Sequence, residues 1–88
     1  MEINNSFKTY QTKDLYESAY LYAKGVPLTD LNWIGDKCFF VFQNTETSGK
    51  SLCEQLSQQF WFGECLISAK SYYQAITTLK NRIFQRQG

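Results

Sequence analysis

The run Asn44-Thr45-Glu46-Thr47-Ser48-Gly49-Lys50-Ser51 comes closest in this chain to a known chemistry. It follows an apolar strand-like stretch, precedes a helical pattern, and matches G-x-x-x-x-G-K-[ST] except that Asn44 stands in place of the first glycine. Such a loop holds phosphates through backbone amides and a helix N-terminus. Gly49, Lys50 and Ser51 are therefore its candidate phosphate-binding residues. The remaining parts of a nucleotide-hydrolysing site are missing: no apolar strand ends in an Asp that would hold Mg²⁺. The preceding strand also reads as half of a hairpin, where a phosphate loop ordinarily opens a parallel βαβ unit. A polar loop that starts a helix is the plainer reading, and nucleotide or phosphate binding the weakest of three functional alternatives.

Other chemistry is excluded more firmly. The chain has no histidine, and Cys38, Cys53 and Cys65 stand 15 and 12 positions apart, without a C-x-x-C pair. No metal site and no cofactor are expected, and the thiols read as small core-filling groups. Without His, a Ser or Cys nucleophile would need Lys or a carboxylate as its base. Asp14 and Glu17 share a helical face, but acids in a first helical turn are expected from the helix dipole alone. No catalytic residue is identified, and the chain is expected not to be an enzyme.

The elements that would position these residues follow from periodicity. Residues 1–6 read as a loose entry and 7–10 as a short strand. Thr12 is a fair N-cap for a helix through Lys24, with Leu15, Ala19, Tyr22 and Ala23 on one apolar stripe. Gly25 ends it and Pro27 prevents continuation. Stretches 28–34 and 37–43 flank Gly35-Asp36, a two-residue hairpin loop that pairs Trp33 with Cys38, Leu31 with Phe40, Asn32 with Phe39 and Asp30 with Val41. Positions 44–50 read as loop. A second helix spans 51–61 with Leu52, Leu56 and Phe60 inward, and Gly63 breaks it. A strand is expected over 64–68, with Cys65 and Ile67 on one side. Ser68 then caps a helix from Ala69 to about Gln85, whose stripe is Tyr72, Ile76, Leu79 and Ile83.

This order, β-α-β-β-α-β-α, predicts a single α+β domain over 1–88. Its sheet is mostly antiparallel, with helices on one face: a ferredoxin-like unit plus a C-terminal helix. At 88 residues there is room for one core, and 17% aromatic residues supply the bulk to fill it. The net charge of +1 is too small for a non-specific polyanion binder. No apolar run approaches a membrane span, and the N-terminus is polar, so a cytoplasmic protein without membrane contact is expected.

Two surfaces then stand out. The strand Cys38-Phe39-Phe40-Val41-Phe42 is apolar on both sides. If Leu31, Trp33, Phe40 and Phe42 face the helices, Phe39, Val41 and Ile34 occupy the opposite face, joined by Leu66 of the last expected strand. An open apolar sheet face marks a protein partner, a homo-oligomer contact or a base-stacking platform, and the alternative is a C-terminal helix or N-terminal segment folded across it. The RNA-recognition signature, laid on Phe40-Val41, fits poorly, because Gln43 falls at its last aromatic position. The second surface is the final helix. Lys70, Lys80, Arg82 and Arg86 give residues 69–88 a charge of +4, while the rest of the chain carries −3. Cations suit a helix C-terminus, and they also offer a salt-sensitive grip on nucleic acid.

Taken together, Tyr10-x-Thr12-x-Asp14-Leu15, Tyr22-Ala23-Lys24-Gly25, Phe39-Phe40-Val41-Phe42 and Ala69-Lys70-x-Tyr72-x-x-Ala75 through Leu79-Lys80 resemble DUF5659, a family of small uncharacterised bacterial and phage proteins, over roughly residues 7–84. The resemblance implies a prokaryotic or mobile-element origin and transfers no activity and no site residue. The resulting expectation is a non-catalytic accessory or interaction domain associating with itself or a protein partner. Nucleic-acid binding through Lys70, Lys80, Arg82 and Arg86 is the alternative.

Overall fold

A computed structural model of the chain describes residues 8–47 and 50–87. The elements run β1 (Lys8–Thr12), α1 (Leu15–Ala23), β2 (Leu28–Ile34), β3 (Lys37–Asn44), β4 (Glu46–Thr47), β5 (Lys50–Ser51), α2 (Leu52–Phe62) and α3 (Ala69–Gln87). The first three long strands form one antiparallel sheet in the order β1-β3-β2. With β3 antiparallel to both neighbours, β1 and β2 run parallel through α1 with β3 between them. That is the split βαβ half of a ferredoxin-like unit.

The hairpin forms because its alternation and its turn agree. Gly35 takes a φ of 65°, the left-handed conformation that a two-residue hairpin loop requires and glycine adopts without strain. The register is Trp33 opposite Cys38, Leu31 opposite Phe40, Asn32 opposite Phe39 and Asp30 opposite Val41, as the turn predicts. A one-residue slip would turn Phe40 and Phe42 outward, and both are essentially fully buried.

α1 starts two residues later than its sequence suggests. The Asp14 side chain, not Thr12, accepts from the Glu17 amide at 2.8 Å, and Thr12 completes β1 instead. At its other end Gly25, with φ 96°, closes a Schellman motif. The Val26 amide donates to the Leu21 carbonyl and the Gly25 amide to the Tyr22 carbonyl, while Val26 and Leu21 are both buried. The expected stripe Leu15, Ala19, Tyr22 and Ala23 faces the core, Ala19 inside it and the other three packed against it, but burial extends further. The buried residues are Glu17, Ser18, Ala19, Tyr20 and Leu21, since α1 packs against α2 and α3 as well as the sheet and is covered on most sides.

Two further expectations are corrected. Residues 64–68 form no strand; they are an irregular connector between α2 and α3. Within the supposed loop, Glu46–Thr47 and Lys50–Ser51 pair as a two-residue ladder of their own. In α2 the inward positions are Cys53, Leu56 and half-buried Phe60, and Leu52 is exposed. α3 behaves as expected: Ser68 Oγ accepts from the Ser71 amide at 3.0 Å, and Ala75 and Leu79 enter the core with Tyr72, Ile76 and Ile83 packed at its margin.

One core results, built from Ala19, Tyr20, Leu21, Val26, Phe40, Phe42, Cys53, Leu56, Ala75 and Leu79. It draws on all three helices and on one face of β3. Among the described residues, every helix therefore lies on the same side of the sheet.

Candidate functional site

The opposite side of the sheet is the surface to which the fold points. Strand alternation puts Phe39 and Val41 there, because their neighbours Phe40 and Phe42 are in the core. Their cross-strand partners Asn32, Asp30 and Gln11 share that face, and Ile34 at the hairpin tip is 59% exposed. Phe39 and Val41 are half-buried. Part of their shielding is a polar strap: Asn32 Nδ2 of β2 donates to Gln11 Oε1 of β1 at 3.3 Å, passing over β3, which separates those strands. The face is thus an apolar centre crossed by a pair of amides, Asn32 and Gln11, and rimmed by polar groups that include Asp30. Parity alone places Gln11 and Asn32 on it, but their contact depends on β1 docking beside β3, which sequence separation hides.

Phe39, Val41 and Ile34 come together as the sequence suggests, and Leu66 does not join them. It lies in the connector after α2, 75% exposed, with its carbonyl 3.4 Å from Lys24 Nζ at the end of α1. The expected strand that would have carried it to the sheet does not form. α3 does not cross the outer face either, because Ala75 and Leu79 pack on the inner side with Phe40 and Phe42. Residues 1–7 lie outside the described residues.

Lys70, Lys80 and Arg82 of α3 are exposed but dispersed. Lys80 and Arg82 are two residues apart and so about 200° apart around the helix, facing opposite ways. Lys70 stands ten residues before Lys80, about 15 Å along the axis. Arg82 lines a polar groove against β2 with Leu31, Thr78, Asn81 and Gln85. The side chain of Arg86 lies outside the described residues.

The phosphate-loop candidates are organised for another purpose. Gly49 and the side chain of Lys50 lie outside the described residues. Ser51 is the α2 N-cap position but makes no side-chain cap bond. The capping is done from β3: Asn44 Oδ1, buried to 5% exposure, accepts from the Cys53 amide at 3.0 Å, and the Thr45 carbonyl accepts from the Leu52 amide at 2.9 Å. Two of the amides that would cradle a phosphate are already bonded within the chain.

A polar cluster that sequence reasoning missed joins β1, α1 and α2. Glu17, only 3% exposed, accepts from the Tyr10 hydroxyl at 2.6 Å and the Thr12 hydroxyl at 2.7 Å. The Tyr10 oxygen also lies 3.2 Å from Ser57 Oγ. Burial, then the bond to the Glu17 carboxylate, pushes the Tyr10 phenol up to about 12. Burial likewise raises the Cys53 thiol to about 11, with Glu54 and Glu17 adding to it. A thiol kept protonated in this way is a poor nucleophile, which suits core filling. Among the described residues no group of His, Cys, Asp or Glu is arranged to hold a metal ion. No helix among them is long and apolar enough to cross a membrane.

Comparison with known proteins gives one match. Residues 7–85 fit the model of a family described as a domain of unknown function, DUF5659. No curated protein and no solved structure matches the chain.

Proposed function

The chain belongs to the DUF5659 family, and from that premise we propose that it is a non-catalytic interaction domain whose outer sheet face, centred on Phe39, Val41 and Ile34, associates with a second copy. One observation carries this reading: all the described helices pack on one side of the sheet, and an apolar centre with a polar rim occupies the other. An apolar centre inside a polar rim is the usual anatomy of a protein interface. The dispersed cations of α3 favour this over nucleic-acid binding, which needs charges converging on one backbone track. A cytoplasmic setting accords with the reading, since three free cysteines, one buried, one half-buried and one exposed, suit a reducing compartment.

Size sets the strength. Three strands of about seven residues cover ~23 by ~14 Å, roughly 300 Å² per copy. Twice that is well below the ~1,200 Å² of a stable interface, so the association is weak and concentration-dependent. Light scattering across a concentration series tests it. The apparent mass should rise above 10.3 kDa with concentration, and Ile34→Lys or Phe39→Ser should hold it at the monomer value. A wild-type chain that stays monomeric up to millimolar concentration overturns the reading. Nucleic-acid affinity that falls with salt and with Arg82→Glu would favour the basic helix instead.

A further inference from the structure

A second surface, on the helical side of the molecule, has the form of a ligand pocket. Tyr20 of α1, Phe60 of α2, Cys65 and Ile67 of the connector, and Ala69 and Tyr72 of α3 line a cavity of about 280 Å³. Every element except the sheet contributes a wall. The aromatic walls are held in place: the Tyr20 hydroxyl donates to Gln59 Oε1 at 2.9 Å and the Tyr72 hydroxyl to the Tyr16 carbonyl at 3.0 Å. Tyr20 and Phe60 are themselves 5.8 Å apart, centroid to centroid. The Cys65 thiol sits 3.4 Å from the Gln59 carbonyl and 3.6 Å from that of Phe60, so it caps the end of α2 while remaining exposed.

Beside the lining, though not part of it, stands the cation Lys24. Lys24 Nζ stands 5.7 Å from the Tyr20 ring centroid and 3.4 Å from the Leu66 carbonyl, between lining residues Cys65 and Ile67. Among the described residues it has no carboxylate partner. Two acids lie in the neighbourhood and neither is part of the lining: Glu64 of the connector is exposed, and Asp14 at the start of α1 acts on Tyr72. The volume lies just below the range of ligand sites, which run from about 300 Å³ upward, and so admits no more than one ring and a short arm. Aromatic walls beside an ammonium that has no carboxylate partner among the described residues suit an apolar ring ending in an anion. We propose that this cavity binds a small aromatic monocarboxylate, its ring between Phe60 and Tyr72 and its carboxylate toward Lys24.

Cys65 supplies the readout, since a ring seated beside it shields its sulfur. The probes are 3-phenylpropionate and its neutral analogue 3-phenylpropanamide, with Cys65 alkylation by iodoacetamide followed by peptide mapping. 3-Phenylpropionate should slow alkylation of Cys65 in a saturable way. The amide should need a roughly two- to fivefold higher concentration, the range of one exposed ion pair. Lys24→Gln should erase that preference while leaving ring-dependent protection. Ala69→Phe, which fills the cavity, should abolish protection. Should that variant not fold, chemical-shift changes at Ile67 and Ala69 in the wild-type chain serve instead. No saturable protection and no shift at those residues overturns the site. Equal protection by acid and amide overturns the carboxylate assignment.

Discussion

Glu17 shows how a single buried carboxylate organises its surroundings. Its two acceptor bonds fix Tyr10 and Thr12 of β1 against α1, and Tyr10 reaches on to Ser57 of α2. Hydrogen bonds to charged groups contribute about 1.5–3 kcal/mol, so Glu17→Ala should cost about 2–3 kcal/mol in urea unfolding, and Glu17→Gln less. The Tyr10 phenol makes stability pH-dependent. Its folded pKa of about 12 exceeds the ordinary 10.0, so the folded state holds the proton more tightly. That stabilisation is whole below pH 10 and is lost as pH rises through about 12. Unfolding curves between pH 8 and 12, with tyrosinate absorbance at 295 nm, should show a steeper alkaline loss for the wild type than for Tyr10→Phe. Ser18 offers the opposite case. Its Oγ is fully buried without a hydrogen-bond partner among the described residues. An unpaired buried hydroxyl costs about 1–3 kcal/mol, so Ser18→Ala should raise the melting temperature. A lowered one would mean that the hydroxyl has a partner in solution.

Among the elements, α2 depends on a residue outside itself. Asn44 lies on the core side of β3 by the same alternation as Phe40 and Phe42, and its amide caps a helix nine residues later. Asn44→Ala should cost about 1–2 kcal/mol, and Asn44→Asp should retain most of the cap because a carboxylate also suits a helix N-terminus. The ratio of the two, from thermal unfolding, separates capping from simple loss of volume. At the hairpin, the φ of 65° at Gly35 makes Gly35→Ala costly by about 1 kcal/mol even though the added methyl would meet nothing within 4 Å. These elements were legible to different degrees. The hairpin register and the α3 stripe follow from local patterns, with periods of 2 and 3.6 that tertiary contacts reinforce. The 64–68 stretch alternates like a strand, yet it pairs with neither open edge of the sheet, β1 or β2, and its Leu66 carbonyl instead accepts from Lys24 at the end of α1. Periodicity can propose a strand but not a partner for it.

At the scale of the molecule, α1 is the hub, touching the sheet, α2 and α3 together. Its contacts on several sides explain why burial extends beyond the expected stripe to Glu17, Ser18, Tyr20 and Leu21. α3 is fastened to that hub through Leu79, which is fully buried. Leu79→Ala should therefore cost about 2–5 kcal/mol and lower amide-exchange protection along α1 as well as α3. A loss confined to α3 would show that the helix docks as an independent unit.

The sequence by itself determined the α+β class, the strand pairing around Gly35, the stop of α1 at Gly25, the start of α3 at Ser68, the absence of histidine chemistry and the outward parity of Phe39 and Val41. Each of these is written in neighbours a few residues apart, where backbone geometry leaves few choices. Only the tertiary structure decided the rest: that Asn44 caps α2, that Leu66 leaves the sheet, that Glu17 collects the Tyr10 and Thr12 hydroxyls, and that Tyr20, Phe60, Cys65 and Tyr72 enclose a cavity. Those facts join residues far apart in the chain, and their partners are chosen by how helices and sheet share one core. The near-match to a phosphate loop shows the difference: its spacing is local and readable, but its helix amides were claimed by a strand folded beside them.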